Sequence, residues 1–192
     1  MSYQGQLAAK VKKDAAERLS KHQIITKKID GLYRQWWCGC PDSGCDWFYI
    51  VTWPGYMCYC GDMGDYVFQR VDDMVLFMRR SAMSFDYAAE KCIAHGSPIR
   101  KYCYEVFEDL LNDEEKLLEE EYEPEDQQGR RDKIADLRAQ INEESHEHEA
   151  YMAISDSGLW DGCDFPSCEA FDFHFLWCLH AIDWFTKNVK DA

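Results

Sequence analysis

The sequence predicts an α+β fold: a four-stranded antiparallel β-meander covered by helices, with an acidic helical hairpin. Two features indicate this class. Aromatic and β-branched runs between residues 32 and 70 are separated by the turn sequences Pro-Asp-Ser-Gly, Pro-Gly and Asp-Met-Gly-Asp. On both sides of that region, apolar residues recur at helical spacing. The chain has 192 residues and is 46% apolar, so we expect a single domain over residues 1–192.

The four predicted strands cover residues 36–40, 47–53, 57–60 and 66–70. A two-residue Pro-Gly turn between the second and third strands places Val51 opposite Cys58. A Met-Gly turn between the third and fourth places Cys60 opposite Val67. Both faces of this sheet are largely apolar, so we expect helices to cover both of them.

Helices are predicted before and after the strands. Ser84 is a suitable cap for the third and Gly96 a suitable end. Pro124 separates two segments that form an antiparallel hairpin within residues 101–155, and residues 160–167 form a loop. The last helix is apolar on nearly all sides, which is typical of a buried core helix. The predicted helices cover residues 7–23, 72–79, 85–95, 102–121, 128–154 and 169–189.

Charge is distributed very unevenly along the chain. Acidic residues outnumber basic ones by 36 to 21, a net charge of −15. Residues 105–149 alone hold 18 acids and five bases. Such a chain is repelled by nucleic acids and anionic lipids, so we expect no direct nucleic-acid binding. Neither a membrane-spanning apolar run nor a signal peptide is recognisable, so we expect no membrane partner and a cytoplasmic location.

Ten cysteines raise the question of metal binding. The pairs Cys38/Cys40 and Cys58/Cys60 lie on the first and third predicted strands, roughly 9–10 Å apart across the second strand. Tetrahedral zinc requires its sulfur ligands within roughly 4 Å of one another. We therefore favour reduced, structural thiols over a shared zinc site.

A second metal candidate lies near the C-terminus. Cys163 and Cys168 fall in a predicted loop and are followed by His174. Loops can bring ligands together, but this spacing matches no usual zinc motif. We expect no metal and no other cofactor, with zinc at these residues as the alternative.

The most polar part of the sheet region contains Asp62, Asp65, Arg70 and Asp73. Carboxylates beside an arginine are suited to acid–base or metal chemistry. The alternative is a turn whose aspartates bind their own backbone, followed by an Arg–Asp pair that joins strand to helix. We favour the alternative, and the sequence offers no catalytic residue, because nucleophile-elbow, P-loop, dinucleotide and HExxH motifs are absent from it.

Several motifs resemble a family of small bacteriophage and prophage proteins. They are Gly31-Leu-Tyr-Arg34, Thr52-Trp-Pro-Gly55, Gly61-Asp-Met-Gly64, the Arg-x-x-Asp-Met run from Arg70 to Met74, Ala89-Glu-Lys91, and the run from Phe175 to Trp184. The similarity covers roughly residues 22–92 and 157–185 and omits the acidic hairpin. It implies a phage-encoded protein acting in an infected bacterial cytoplasm, and it transfers no catalytic residue.

Two functional hypotheses follow. The first is a non-enzymatic phage protein that inhibits a bacterial host target, as an anti-defence protein of the anti-CRISPR kind does. Its partner is a host protein with a basic surface, for example a nucleic-acid-binding defence complex. The second is a small metal-dependent enzyme acting on a nucleotide or signal molecule; a homodimer is compatible with either. For the first, the predicted protein-binding residues are Asp113, Glu114, Glu115, Glu119, Glu120 and Glu121.

Overall fold

The computed structural model describes residues 2–160 and 166–190, without the side chains of Glu119 and Glu121. Its elements confirm the α+β class. The helices are α1 (Tyr3–Leu19), α2 (Met74–Ser81), α3 (Phe85–Lys91), α4 (Tyr104–Glu121), α5 (Pro124–Gln140), α6 (Glu147–Ser157) and α7 (Phe173–Asn188). The strands are β1 (Gln23–Asp30), β2 (Tyr33–Gly39), β3 (Phe48–Trp53), β4 (Tyr56–Gly61), β5 (Gly64–Gln69), β6 (Cys92–His95), β7 (Arg100–Tyr102) and β8 (Glu169–Phe171).

The chain divides into two compact units. Leu7–Ile99 and Phe171–Ala192 form one, which we call the sheet unit. Met1–Gln6 and Arg100–Ala170 form the other, which we call the helical unit. The prediction of one domain over residues 1–192 stays a prediction; the acidic segment is a compact unit larger than the expected hairpin.

The sheet is an antiparallel meander of six strands in the order β1-β2-β3-β4-β5-β6, rather than four. The four predicted strands are β2 to β5, and the predicted pairing of Val51 with Cys58 is confirmed. The next turn is Asp62-Met63 rather than Met63-Gly64, so Val67 pairs with Cys58 instead of Cys60. This two-residue shift changes the partners but keeps every side chain on its predicted face.

The two additional strands are at the edges of the sheet. β1 and β6 each contain a register irregularity against their neighbour, and most of their residues are exposed. Edge strands of this kind lack the apolar alternation that marks a half-buried strand. The sequence therefore suggested neither, and residues 92–95 were wrongly predicted as the end of a helix.

One face of the sheet, the inner face, forms the main core with α1, α2 and α7. Phe48, Tyr59 and Tyr66 are fully buried there against Trp177 and other residues of α7. Phe48 stacks on Tyr59 at 5.0 Å between ring centroids, and Arg79 Nε of α2 donates to the carbonyl of Thr186 in α7 at 2.8 Å. The prediction of α7 as a core helix is confirmed, although it begins at Phe173 after the short strand β8.

The opposite face of the sheet, the outer face, is only half-buried. We predicted helices over both faces, but in the described ranges these side chains belong to neither hydrophobic core. The outer-face residues are Trp37, Trp47, Tyr49, Val51, Trp53, Tyr56, Cys58, Cys60 and Val67. The sheet unit is therefore two-layered, with helices on one side.

The helical segments differ from prediction in their breaks. Residues 128–154 form not one helix but two, because α5 ends at Gln140 and α6 begins at Glu147. Pro124 is the first residue of α5, a position where its missing amide hydrogen has no cost. The predicted loop at 160–167 lies mostly outside the described residues.

The motif residues of the sheet unit have structural roles. Arg34 is 4% exposed, and its Nη2 lies 2.7 Å from Asp73 Oδ2. Asp73 also caps α2 by accepting hydrogen bonds from the amides of Val75 and Leu76. Gly61 allows the close approach of β3, since a Cβ there would lie 2.3 Å from the carbonyl oxygen of Trp47.

Candidate functional site

All of the net charge of the protein resides in the helical unit. Residues 100–170 contain 22 acids and seven bases, whereas the rest of the chain contains 14 of each. The helical unit therefore has a net charge of −15, and the sheet unit has none. This separation makes the helical unit the candidate protein-binding surface.

The seam between α4 and α5 explains how so acidic a segment folds. Buried residues at 107, 111, 114 and 118 of α4 follow the helical period, and so do residues 130, 134, 137 and 141 along α5. Six of these eight are apolar, from Phe107 to Ile141. The other two are Glu114 and Arg130, one in each stripe.

Glu114 and Arg130 form an ion pair within this seam. The side chain of Glu114 is 9% exposed and that of Arg130 is 20% exposed. Arg130 Nη2 also donates to the carbonyl of Leu159 at 2.8 Å, and its guanidinium lies 4.3 Å from the ring centroid of Tyr122. Glu114 is therefore a structural residue, not available to a partner.

Arg138 joins the same two helices at the edge of the seam. Its guanidinium contacts both carboxylate oxygens of Glu115 at 2.8 and 3.2 Å, Glu108 at 3.3 Å and Asn112 at 2.8 Å. The hydrogen bond from Arg138 lowers the pKa of Glu115, with burial opposing it. Glu115 is thus also committed to the fold of the unit.

Two of the other predicted binding residues, Asp113 and Glu120, lie on the surface of α4. Asp113 is exposed and pairs with Lys116 of its own helix at 2.7 Å, and Glu120 is exposed at the end of α4. The side chains of Glu119 and Glu121 lie outside the described set. Other exposed acids surround the α4–α5 turn and the α5–α6 corner: Glu123, Glu125, Asp126, Asp132, Asp136, Glu143, Glu144, Glu147 and Asp156.

An open cleft of about 600 Å³ lies at the α5–α6 corner. Ile141, Met152 and Ala153 supply apolar surface, and Met152 is 44% exposed. Acidic side chains, including Glu144 and Asp156, also line it. Apolar surface beside carboxylates suits the aliphatic stem and charged end of a lysine or arginine.

The four residues of the possible polar site are not brought together. Asp62 and Asp65 lie at the β4–β5 turn, whereas Arg70 and Asp73 follow the opposite end of β5. Five residues of extended strand separate Asp65 from Arg70 by roughly 16 Å. Asp73 pairs with Arg34 of β2, which is not one of the four, and caps α2. The structural interpretation of Asp62, Asp65 and Arg70 stays a prediction.

The cysteines of the sheet also have separate environments. Cys38 faces the inner core, whereas Cys58 and Cys60 face outward on β4, with β3 between the two strands. Burial raises the pKa of the Cys38 and Cys58 thiols. A hydrogen bond with Asp65 and burial raise the pKa of Cys60 to about 11. These four thiols cannot surround one metal ion.

The C-terminal metal candidates are only partly described. Cys163 lies outside the described residues, Cys168 is buried, and His174 is half-exposed with its Nδ1 4.0 Å from Asp172. Burial raises the pKa of Cys168 to about 11. Within 2–160 and 166–190, His, Cys, Asp and Glu form no group of three or more able to hold a metal ion. In that same part of the chain, none of the helices is long and apolar enough to cross a bilayer.

Comparison with known proteins gives no match: neither a family model, nor a curated protein, nor a solved structure corresponds to this chain. The resemblance to phage proteins therefore stays a prediction.

Sequence reasoning missed two features of this surface. Glu114 was predicted to bind a partner, although the spacing of Glu114 from Phe107 and of Arg130 from Ile134 places both charges within the apolar stripes. That signal was readable from helical periodicity. The cleft had no such signal, because it depends on the change of direction between α5 and α6.

Proposed function

We propose that this chain is a non-enzymatic bacteriophage accessory protein that binds and inhibits a bacterial host protein. The observation that carries this proposal is the segregation of the whole net charge of −15 into the helical unit. The proposed partner has a basic surface, and a nucleic-acid-binding defence complex is the class that fits best. The proposed location is the cytoplasm of the infected cell.

Electrostatics gives the reason for a basic partner. Proteins that bind DNA or RNA line their grooves with lysine and arginine, which contact phosphates without reading sequence. A surface dense in carboxylates is attracted to the same grooves and accelerates encounter. Occupying such a groove would exclude the nucleic acid, which is inhibition without catalysis.

The internal ion pairs of the helical unit use bases that would otherwise neutralise its exposed acids, so those acids remain available to a partner. Arg130 and Arg138 are committed to the seam by contacts with Glu114 and Glu115. Lys133 Nζ donates to the carbonyl of Gly158 at 3.2 Å. The helical unit holds 22 acids against seven bases, so its exposed surface keeps a large excess of negative charge.

The cleft at the α5–α6 corner supplies an anchor beyond general attraction. A lysine or arginine of the partner would place its stem against Met152 and Ala153 and its charge beside Glu144. Burying that stem favours binding, while the carboxylates select against neutral side chains. We therefore expect this corner to contribute more to affinity than equally charged surface elsewhere.

A set of charge reversals tests the proposal. The first variant changes Glu143, Glu144 and Glu147 to Lys at the corner. A second variant changes Glu120, Glu123 and Glu125 to Lys at the α4–α5 turn, and a control changes Asp30, Asp42 and Asp72 of the sheet unit to Lys. All nine are exposed, and the three variants alter the net charge equally.

The readout is phage plating on bacterial strains that each carry one nucleic-acid-targeting defence system. Expression of the wild-type protein should restore plating on at least one strain. The purified defence complex from that strain should bind the corner variant about tenfold or more weakly than the control, with a smaller dependence on salt. If plating is never restored across the panel, or all three variants lose activity equally, the proposed function is wrong.

A further inference from the structure

The outer face of the sheet presents an ordered set of aromatic and aliphatic side chains. The strand register aligns side chains of the outer face in three rows that run across the strands. The first runs Ile25, Trp37, Tyr49, Cys60, Asp65, the second runs Lys28, Gln35, Val51, Cys58, Val67, Ala94, and the third runs Trp53, Tyr56, Gln69.

Contacts between neighbouring aromatic rings order the side chains of the outer face, but they do not cover that face. Trp53 stacks on Tyr56 at 5.1 Å, and Trp47 meets Tyr49 edge-on at 5.9 Å. The hydroxyl of Tyr56 accepts a hydrogen bond from Gln69 at 2.8 Å. Ile25 is 41% exposed, and among the described residues no member of these rows packs into a hydrophobic core.

The size of the face suits an interface with another protein surface. Six strands about 4.8 Å apart and about 20 Å long give roughly 500 Å² in projection. Because side chains project from the sheet, the accessible area of the face is larger than this projected area. It is of the same order as the roughly 800 Å² that each partner buries in a standard interface. Partly exposed apolar surface of this extent indicates association.

The outer face carries charges at Lys28 and Asp30 of β1 and at Asp65 of β5. The opposite charges of Lys28 and Asp65, near opposite edges of the sheet, indicate which partner fits. Lys28 is exposed at the β1 edge, and Asp65 is exposed on β5. They lie roughly 19 Å apart, four strand spacings, so they cannot pair within one sheet. A second copy turned about a two-fold axis that is parallel to the strands and passes over β3 places β1 over the partner's β5. Each Lys28 then approaches the Asp65 of the other copy.

We infer that the outer face is a homodimer interface in which two sheets pack face to face. Sheets in such sandwiches lie about 10 Å apart with interdigitating side chains. The sheet unit has no net charge, so its association meets little repulsion at the contact. The inference is independent of the proposed function and would give the assembly two acidic helical units.

Light scattering after gel filtration of the full chain tests this inference. The wild-type protein should have a mass of about 45 kDa, twice the 22.6 kDa of the chain. Val51→Lys places a charge at the centre of the second row and should give a monomer at the same concentration. Leu76→Lys, at an exposed position on α2, is the matched control and should remain dimeric.

A charge-swap experiment tests the arrangement with variants that change only exposed residues. Lys28→Asp and Asp65→Lys should each weaken dimerisation about tenfold, and the double variant should restore it. A monomeric wild-type protein, a dimeric Val51→Lys variant, or a double variant as weak as the single ones would each overturn the inference. Far-UV circular dichroism confirms that every variant is folded.

Discussion

Glu114 and Arg130 meet inside the apolar seam of the helical unit, each at a position that helical periodicity assigns to a buried residue. Neither charge is free for a partner. The helical unit therefore has two kinds of acid: a few that hold α4 and α5 together, and many that remain exposed.

Removing one member of this pair should destabilise the protein. We expect Glu114→Ala to cost about 3 kcal/mol in urea unfolding followed by circular dichroism, because Arg130 is left part-buried without its partner. Glu120→Ala, at an exposed position, should change stability by less than about 0.5 kcal/mol. Replacing both members by Leu and Met should be close to neutral. Equal effects of Glu114→Ala and Glu120→Ala would contradict the structural role.

The Arg34–Asp73 pair should make the free energy of unfolding depend on pH. Burial alone would raise the pKa of Asp73, but hydrogen bonds from Arg34 and from the α2 amides hold it below its usual value. Its stabilising contribution is therefore present above about pH 4 and is lost as the pH falls below that. Asp73→Asn should be less stable than wild type at pH 7, and the difference should shrink at pH 3. A difference that is constant with pH would show that the charge has no role.

Asp73→Ala should be the more severe change at the same position. It removes the cap of α2 and leaves Arg34 buried without a counter-charge. We expect a loss of about 3–5 kcal/mol at pH 7 in urea unfolding. A loss similar to that of Asp73→Asn would indicate that the cap contributes nothing.

The two tryptophans of α7 should differ. Trp177 is fully buried, whereas Trp184 is only partly buried against the core. Trp177→Ala should reduce the free energy of unfolding by about 3–5 kcal/mol. Trp184→Ala should cost clearly less, and a larger loss for Trp184 would contradict the burial of Trp177.

The buried imidazole of His180 should lower the free energy of unfolding at mildly acidic pH. It is 9% exposed, with its ring 5.9 Å from that of Phe85. Burial lowers its pKa; nearby Lys12 and Lys187 act in the same direction, and Asp183 opposes them. The unfolded chain protonates first, near pH 6.5, so stability should fall as the pH drops from 7 to 5.5. His180→Leu should remove much of that fall.

The exposed His174 provides the control for this measurement. His174→Leu introduces the same side chain at an exposed position of the same helix. An unchanged pH dependence in His180→Leu would assign the effect to another group.

Thiol reactivity should follow burial. Among the cysteines that the structure describes, Cys45 should react first with a thiol reagent in native protein at pH 8 because it is exposed, whereas Cys38 and Cys178 should react only after unfolding. Cys45→Ser should remove the fast reaction of that thiol. All ten thiols of the sequence should react in urea.

Metal analysis complements that measurement. A chelator should leave the melting temperature unchanged if the cysteines are structural. Near-stoichiometric zinc that disappears in Cys163→Ser or Cys168→Ser would instead favour the alternative of a metal-dependent enzyme.

The central strands and the acidic helices were predictable because their signals are local. Alternation from Phe48 to Trp53 assigns each side chain to a face, and the Pro-Gly turn determines the register with β4. The acidic segment is apparent from the number of acidic and basic residues along the sequence. The edge strands β1 and β6 were not predictable, since their pairing gives them almost no buried side chains.

The sequence by itself determined the α+β class, the central strand pairing, the core character of α7 and the position of the charge. Only the tertiary structure decided which charges are free and which apolar faces are covered. Arg34 is paired with a residue 39 positions away, and Glu114 with one 16 positions away. Burial of a charge depends on such distant partners, because the cost of removing it from water is offset only where the fold supplies an opposite charge.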